Sequence, residues 1–184
     1  MRLFLAVPVG EQFTAQLTTE LALQRLDLKA RWTRPQAWHV TLQFLGEWPE
    51  NHVPGLISAL EKVCVYPAFY LKPGSLDGFP NLNFLRVLFL QMDDDGLCVR
   101  LAGQVREIVE VIWPRGPQDR REFRSHLTLA RIRRRLTENE VNLLKNTQLG
   151  PLGPVLVEDF KLYSSELGSD GPRYSELASF PLRK

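Results

Sequence analysis

The 184-residue sequence predicts an α+β fold of two similar lobes with mainly antiparallel sheets. Both halves of the chain show the same order of segments: strand, long helix, strand, helix and further strands. A His-x-Thr-Leu tetrad occupies the third segment of each half, at residues 39–42 and 126–129. At 44% hydrophobic residues the chain can bury a sizeable core, so we expect one domain over residues 1–184.

The first half opens with an apolar strand at 2–9, which Pro8 and Gly10 bring to an end. Apolar residues then recur at helical spacing, which predicts an amphipathic helix over 11–28. The rest of this half predicts strands at 30–33 and 38–46 around a turn at Pro35, a helix at 53–64, and strands at 68–76 and 84–92 around a turn-rich stretch at 77–83.

In the second half, helical spacing predicts a helix over 97–113. Thr137, with Glu140 three residues later, predicts a capping box at the start of a short helix. Strands are predicted at 123–132, 154–167 and 173–182. The acidic run of Asp93, Asp94 and Asp95 more simply forms a turn before a helix than a metal site.

The alternative fold is a single α/β sheet of mixed direction. That fold needs crossover helices in strict alternation with long apolar strands. The short strands and the strand pairs around turns in this sequence fit it less well, so the antiparallel arrangement is favoured.

The two tetrads hold two of the three histidines in the chain. At average composition a histidine is followed by Thr at +2 and Leu at +3 less than roughly once in a hundred. Because side chains alternate along a strand, His39 and Thr41 share one face, and His126 and Thr128 do the same. Each tetrad therefore presents two polar residues on one side and two aliphatic residues to a core.

A pair of histidines can supply a general base and a general acid near neutral pH without a metal. In-line phosphodiester hydrolysis needs that division, and threonine hydroxyls can bind the non-bridging phosphate oxygens. On a regular strand Arg131, five residues after His126, would point to the opposite face. It reaches the site only if the strand ends or bulges near Ala130.

Composition and the absence of several motifs leave some function classes without support. A net charge of +2 is too small to indicate nucleic-acid binding by itself, and most arginines of the 131–135 run are read as a solvated face. Cys64 and Cys98 form no CxxC pair and predict reduced thiols. With no signal peptide or membrane span we expect a cytoplasmic protein. Motifs of zinc sites, P-loops and serine hydrolases are absent from the sequence, so no metal or other cofactor is expected.

The sequence resembles the 2H phosphoesterase superfamily, and within it the RNA 2′,3′-cyclic phosphodiesterases, also called 2′-5′ RNA ligases. The likeness covers almost the whole chain. It includes "RLFLAV", "RWTRPQAWHVTLQFLGE", "RVLFLQM", "FRSHLTLARIR" and "LYSSELGSDGPRYSELASFPL".

The resemblance implies a bilobal, pseudo-two-fold fold with a central cleft and helices outside. It implies that His39 and His126 are catalytic, with His39 the proton donor and His126 the base, and that Thr41 and Thr128 bind the phosphate. Phe44, as a stacking surface, and Arg131 would line the nucleotide pocket. The implied reaction is metal-independent opening of an RNA terminal 2′,3′-cyclic phosphate to a 2′-phosphate, or in reverse 2′-5′ ligation. We expect the protein to be a monomer.

Two other functions stay open. The cleft could bind RNA ends or nucleotides without chemistry, although two intact histidine motifs favour an enzyme. The substrate could also be a small cyclic nucleotide or a 2′-5′ oligoadenylate. Among the tryptophans, Trp32 and Trp38 lie near the first tetrad and are candidates for substrate contact.

Overall fold

The computed structural model describes residues 1–24, 26, 28–62, 66–93, 95–114, 116, 122–168 and 171–183. Over these residues the chain forms four α-helices and nine strands. In order they are β1 (Arg2–Pro8), α1 (Glu11–Leu23), β2 (Arg31–Trp32), β3 (His39–Glu47), α2 (Val53–Leu60), β4 (Phe69–Phe79), β5 (Val87–Asp93), α3 (Leu97–Ile112), β6 (His126–Arg131), α4 (Glu138–Asn146), β7 (Val155–Val157), β8 (Asp159–Gly168) and β9 (Gly171–Pro181).

The strands form a sheet in the order β7-β4-β5-β6-β3-β1-β8-β9, with β2 beside β6. Each ladder between these neighbours is antiparallel. The predicted α+β class with mainly antiparallel pairing is confirmed, and the mixed α/β alternative is wrong. The strands of the two tetrads, β3 and β6, are neighbours in the middle of this order.

The sheet curls because of how the chain passes from β7 to β8. These strands are separated only by Glu158, yet β7 pairs with β4 at one end of the order while β8 pairs with β1. The amide of Leu182 donates to the carbonyl of Glu158 at 2.7 Å, which ties β9 to the same junction. The predicted continuous strand at 154–167 is therefore two strands, and the edge of one half of the sheet is drawn toward the other half.

The two halves of the sequence exchange their last strands. The run β1-α1-β3 has its counterpart in β5-α3-β6. However, β4, which follows α2, pairs with β5 of the second run, and β8, which follows α4, pairs with β1 of the first. Each half of the sheet thus contains a strand from the other half of the sequence. As a result β3 and β6 lie at the centre of the sheet.

Several predicted boundaries are corrected. Helix α1 ends at Leu23 rather than 28. Beyond it the amide of Leu28 donates to the carbonyl of Leu26, a contact that an α-helix does not make. Helix α2 ends at Leu60, and residues 63–65, with Cys64, lie outside the described residues, as does Asp94. Strand β6 starts only at His126.

The capping box of α4 is confirmed. The amide of Glu140 donates to the Thr137 hydroxyl at 3.3 Å, and the Glu140 carboxylate accepts from the Thr137 amide at 2.8 Å. Asp95, with a φ of 54°, turns the chain into α3 as the sequence predicts.

The core lies on the face of the sheet opposite to the tetrad histidines. Val40 and Leu127 are fully buried there, as are Leu17 of α1 and Leu101 and Val105 of α3. Cys98, at the start of α3, is also buried. Among the described residues, no helix combines the length and apolar character that a membrane crossing requires.

Candidate active site

The two tetrads meet at a single registered pair. Val40 of β3 lies opposite Leu127 of β6 in the antiparallel ladder. This register puts His39 across from Thr128, and Thr41 across from His126. Since Val40 and Leu127 point into the core, the two histidines and two threonines share the opposite face.

Both strands carry a bulge at the same place in the motif. On β3, Thr41 pairs with Ala6 and Gln43 with Leu5, which leaves Leu42 as an extra residue. On β6 the extra residue is Leu129, because Thr128 pairs with Phe89 and Ala130 with Leu88. Arg131 can reach the site only if its strand ends or bulges near Ala130, and the bulge at Leu129 meets this requirement.

The bulges bring the fifth residue after each histidine to the histidine face. Burial runs identically from His39 to Phe44 and from His126 to Arg131: half-buried, buried, half-buried, buried, buried, exposed. Phe44 and Arg131 are therefore equivalent positions of the two motifs. Phe44 is 44% exposed, so its ring is open to stacking.

Each imidazole is oriented by the chain just before it. Nδ1 of His39 lies 2.8 Å from the carbonyl oxygen of Ala37, and Nδ1 of His126 lies 2.6 Å from that of Arg124. A carbonyl can only accept, so Nδ1 carries a proton in both rings. In the neutral form Nε2 is then the free acceptor, and in the charged form it is a donor.

The two rings have different aromatic neighbours. His39 packs 5.0 Å from Phe4 and meets Tyr174 edge to face at 5.4 Å. His126 lies 5.1 Å from Phe79 and 5.0 Å from Phe89. The chemistry of the two tetrads is alike, but their surroundings are not.

Burial lowers the pKa of His39 from 6.5 to about 4. The hydrogen bond to the Ala37 carbonyl opposes this shift, and the nearby His126 adds to it. A neutral His39 is thus the resting form at neutral pH. The charge of His126 thus acts on His39, so the protonation states of the two imidazoles are linked.

A cleft of about 400 Å³ opens on this face. It is lined by His39, Thr41, Thr128, Phe44 and Arg131, five of the six residues proposed from the sequence. Among the described residues, His126 is not part of its wall. The cavity therefore extends from the His39 side of the histidine pair.

The cleft also contains residues that sequence reasoning missed. Tyr174 of β9 and Phe4 of β1 come from distant segments with no motif of their own, and only the fold brings them to His39. Arg31 and Arg34 flank Trp32, and this basic and aromatic run could have been read as a nucleotide-binding signal. The cleft wall also includes Arg2, Leu3, Thr33, Ala37, Ser165, Leu167, Gly171 and Pro172.

The other candidate residues separate clearly. Trp32 lines the cleft, whereas Trp38 is 7% exposed and belongs to the core, so the idea that it contacts substrate is wrong. Arg134 forms an ion pair with Glu140. The guanidinium of Arg135 lies over the ring of Phe84 at 5.5 Å. In the 131–135 run, Arg131 alone is in the cleft wall described above.

Comparisons with known proteins identify relatives over nearly the full chain. A family model described as LigT-like phosphoesterase matches residues 7–88. Curated proteins named RNA 2′,3′-cyclic phosphodiesterase are 31% identical in Aquifex aeolicus, covering 92% of this chain and 94% of that protein, and 31% identical in Thermus thermophilus, covering 100% and 91%. The protein of that name in Archaeoglobus fulgidus is 29% identical and covers 98% and 99%.

Solved structures show the same fold. A crystal structure of a Thermus thermophilus protein is 31% identical with a TM-score of 0.78, and covers 100% of this chain and 98% of that one. The crystal structure of Escherichia coli LigT complexed with 3′-AMP is 26% identical with a TM-score of 0.77, at the same coverage.

Proposed function

The chain belongs to the LigT-like phosphoesterase family and is a cyclic phosphodiesterase, and we propose that it opens the 2′,3′-cyclic phosphate at the end of an RNA to a 2′-phosphate. The observation that carries the proposal is the shared face of two imidazoles and two threonine hydroxyls beside a nucleotide-sized cleft. The relatives' common name supplies the substrate class.

The reaction requires two proton transfers on opposite sides of phosphorus. A neutral imidazole takes a proton from water, which attacks phosphorus as the bond to the 3′ oxygen breaks. The other imidazole, charged, gives its proton to that oxygen. Nε2 is the reacting nitrogen in both rings, because backbone carbonyls hold both Nδ1 atoms.

The position of the cleft supports one assignment of the two roles. In a cyclic phosphate the leaving oxygen belongs to the nucleoside, and the attacking water must come from the far side. The nucleoside can occupy the cleft on the His39 side. His39 is then the proton donor and His126 the base, which agrees with the family resemblance.

The low pKa of His39 must rise before this residue can donate a proton. A phosphate anion about 4 Å away stabilises the imidazolium by about 4 kcal/mol at an effective dielectric constant of about 20. That equals about three pKa units, enough to bring the pKa from about 4 to about 7. Substrate binding thus charges the acid, and the empty site keeps it neutral.

The remaining residues bind the substrate. Thr41 and Thr128 donate hydroxyl hydrogen bonds to the non-bridging oxygens, each beside the histidine of the opposite strand. Phe44 stacks on the base, and Arg131 supplies positive charge. With a 5′-hydroxyl in place of water as the nucleophile, the same groups open the cyclic phosphate at the 3′ oxygen and leave a 2′-5′ linkage.

The direct test is an assay on an oligoribonucleotide ending in 2′,3′-cyclic phosphate with EDTA present, followed by mapping of the phosphate. We expect a 2′-phosphate and unchanged activity after exhaustive chelation. Binding without turnover would favour the RNA-end binding module instead. Activity that EDTA abolishes and zinc or magnesium restores would contradict the metal-independent mechanism.

A further inference from the structure

Two arginines lie side by side on adjacent strands in the wall of the cleft. Arg31 of β2 and Arg131 of β6 are direct partners in an antiparallel ladder, and both line the cleft. Like charges placed opposite each other destabilise a strand pair. Within the described part of the chain, neither forms an ion pair with an acidic side chain, and no acidic residue lines the cleft.

The neighbouring structure holds these arginines in place. At Gly171 of β9, where φ is 128°, an added Cβ would lie 3.1 Å from Nη2 of Arg31. The glycine therefore leaves the room that this guanidinium occupies. Tyr174 lies three residues further along β9. Burial raises the pKa of Tyr174, and the positive charges of Arg131 and Arg2 oppose this rise. Positive charge from two strands, β6 and β1, thus acts on this one tyrosine.

The arginine pair lies away from the reacting phosphate. Thr128 pairs with Phe89 and Arg131 with Val87, so the bulge leaves them two ladder steps apart, about 7 Å along the strand. That is roughly the span of one nucleotide. Trp32, the neighbour of Arg31, is 37% exposed in the same cleft, where an indole can stack on a base.

We propose that Arg31 and Arg131 bind the phosphodiester that precedes the terminal nucleotide, so that the preferred substrate is an RNA strand end rather than a free nucleoside cyclic phosphate. This inference rests on the proposed function of the same cleft. An anion between the two guanidiniums removes their repulsion, and the preceding phosphate is the anion that an RNA end always carries.

The test compares two substrates with each variant: a nucleoside 2′,3′-cyclic phosphate, and a dinucleotide with the same cyclic end and one internal phosphodiester. We expect the wild-type protein to prefer the dinucleotide by about tenfold or more in kcat/KM. Arg31→Gln should abolish the preference, whereas Arg133→Gln, an exposed arginine outside the cleft wall, should retain it.

Two further measurements identify charge as the cause. A dinucleotide with an uncharged methylphosphonate linkage should lose the preference in the wild-type protein. The slope of log KM against log salt for the charged dinucleotide should fall by about 0.7 in Arg31→Gln, as expected for one phosphate contact on a single strand.

Equal kcat/KM for the two substrates in the wild-type protein, or an unchanged preference in Arg31→Gln, would overturn the inference and leave the proposed function standing. No turnover of either substrate would overturn both.

Discussion

Val40 and Leu127 lie opposite each other where β3 and β6 meet, and each is the residue between the histidine and the threonine of its motif. This pair is the local axis that relates the two tetrads. It places His39 beside Thr128, and His126 beside Thr41, so each half of the site combines residues from both strands. A phosphate bound between them meets a histidine and a hydroxyl on either side.

The first prediction concerns the histidine pair. His39→Ala and His126→Ala should each lower turnover by at least about 10²-fold, the usual contribution of a general acid or base. His52→Ala is the matched control, because His52 belongs to no tetrad and lies outside the cleft wall. Far-ultraviolet circular dichroism checks that the variants fold. Near-full activity in either tetrad variant would contradict the paired mechanism.

The extent to which the sequence predicts this site depends on what a tetrad encodes. The repeated His-x-Thr-Leu pattern identifies both histidines and threonines, since alternation alone assigns their faces. The bulges at Leu42 and Leu129 are not predictable in this way, because a buried leucine looks the same in a regular strand. The face of β6 on which Arg131 lies is therefore known from the strand pairing in the structure and not from the residue spacing in the sequence.

The contribution of Tyr174 and the exchange of final strands were also beyond sequence reasoning. Both depend on which strands pair over long distances, and short strands of similar composition do not specify their partners. The break at Glu158 has the same origin, because the residues on both sides of it have strand-like sequences. Helix starts were predicted better, because the capping box of Thr137 and Glu140 is a local interaction.

Arg131 should matter more for substrate binding than its neighbours. Arg131→Ala should lower kcat/KM by about tenfold or more, through the loss of a charged contact. Arg133→Ala, outside the cleft wall, should have little effect. Arg134→Ala should act on the start of α4, through the lost ion pair with Glu140, rather than on KM. Equal small effects of all three variants would mean that the arginine run is only a solvated face.

The pKa of His39 predicts that anion binding depends on pH. Since a bound anion raises this pKa, binding takes up a proton between about pH 4 and 7. The charge of sulfate is constant over this range. Its inhibition should therefore weaken by up to about tenfold for each unit by which the pH rises in that window. His39→Asn should reduce this slope. An equal slope in the wild-type protein and the variant would show that His39 is not the group that takes up the proton.

The same pKa predicts a loss of stability in acid. In the unfolded chain His39 binds a proton below about pH 6.5, whereas in the folded protein it does so only near pH 4. The free energy of unfolding should therefore decrease as the pH falls through this window, by about 3 kcal/mol from this residue. Urea unfolding of the wild-type protein and His39→Asn measures the difference, in which the other titrating groups cancel. A difference that does not change with pH would contradict the low pKa.

The last prediction separates the acid from the base. A nucleoside cyclic phosphate with sulfur in place of the 3′ oxygen loses a thiolate, which needs no proton to leave. If His39 is the donor, this substrate should restore most of the turnover lost in His39→Ala, about 10²-fold relative to the oxygen substrate. His126→Ala should remain slow, because attacking water still needs a base. Single-turnover rates for both substrates in both variants give the comparison. Rescue of His126→Ala alone would reverse the roles, and the nucleoside would then have to bind on the His126 side, away from the cleft that His39 lines. Rescue of neither variant would mean that the two imidazoles share both proton transfers.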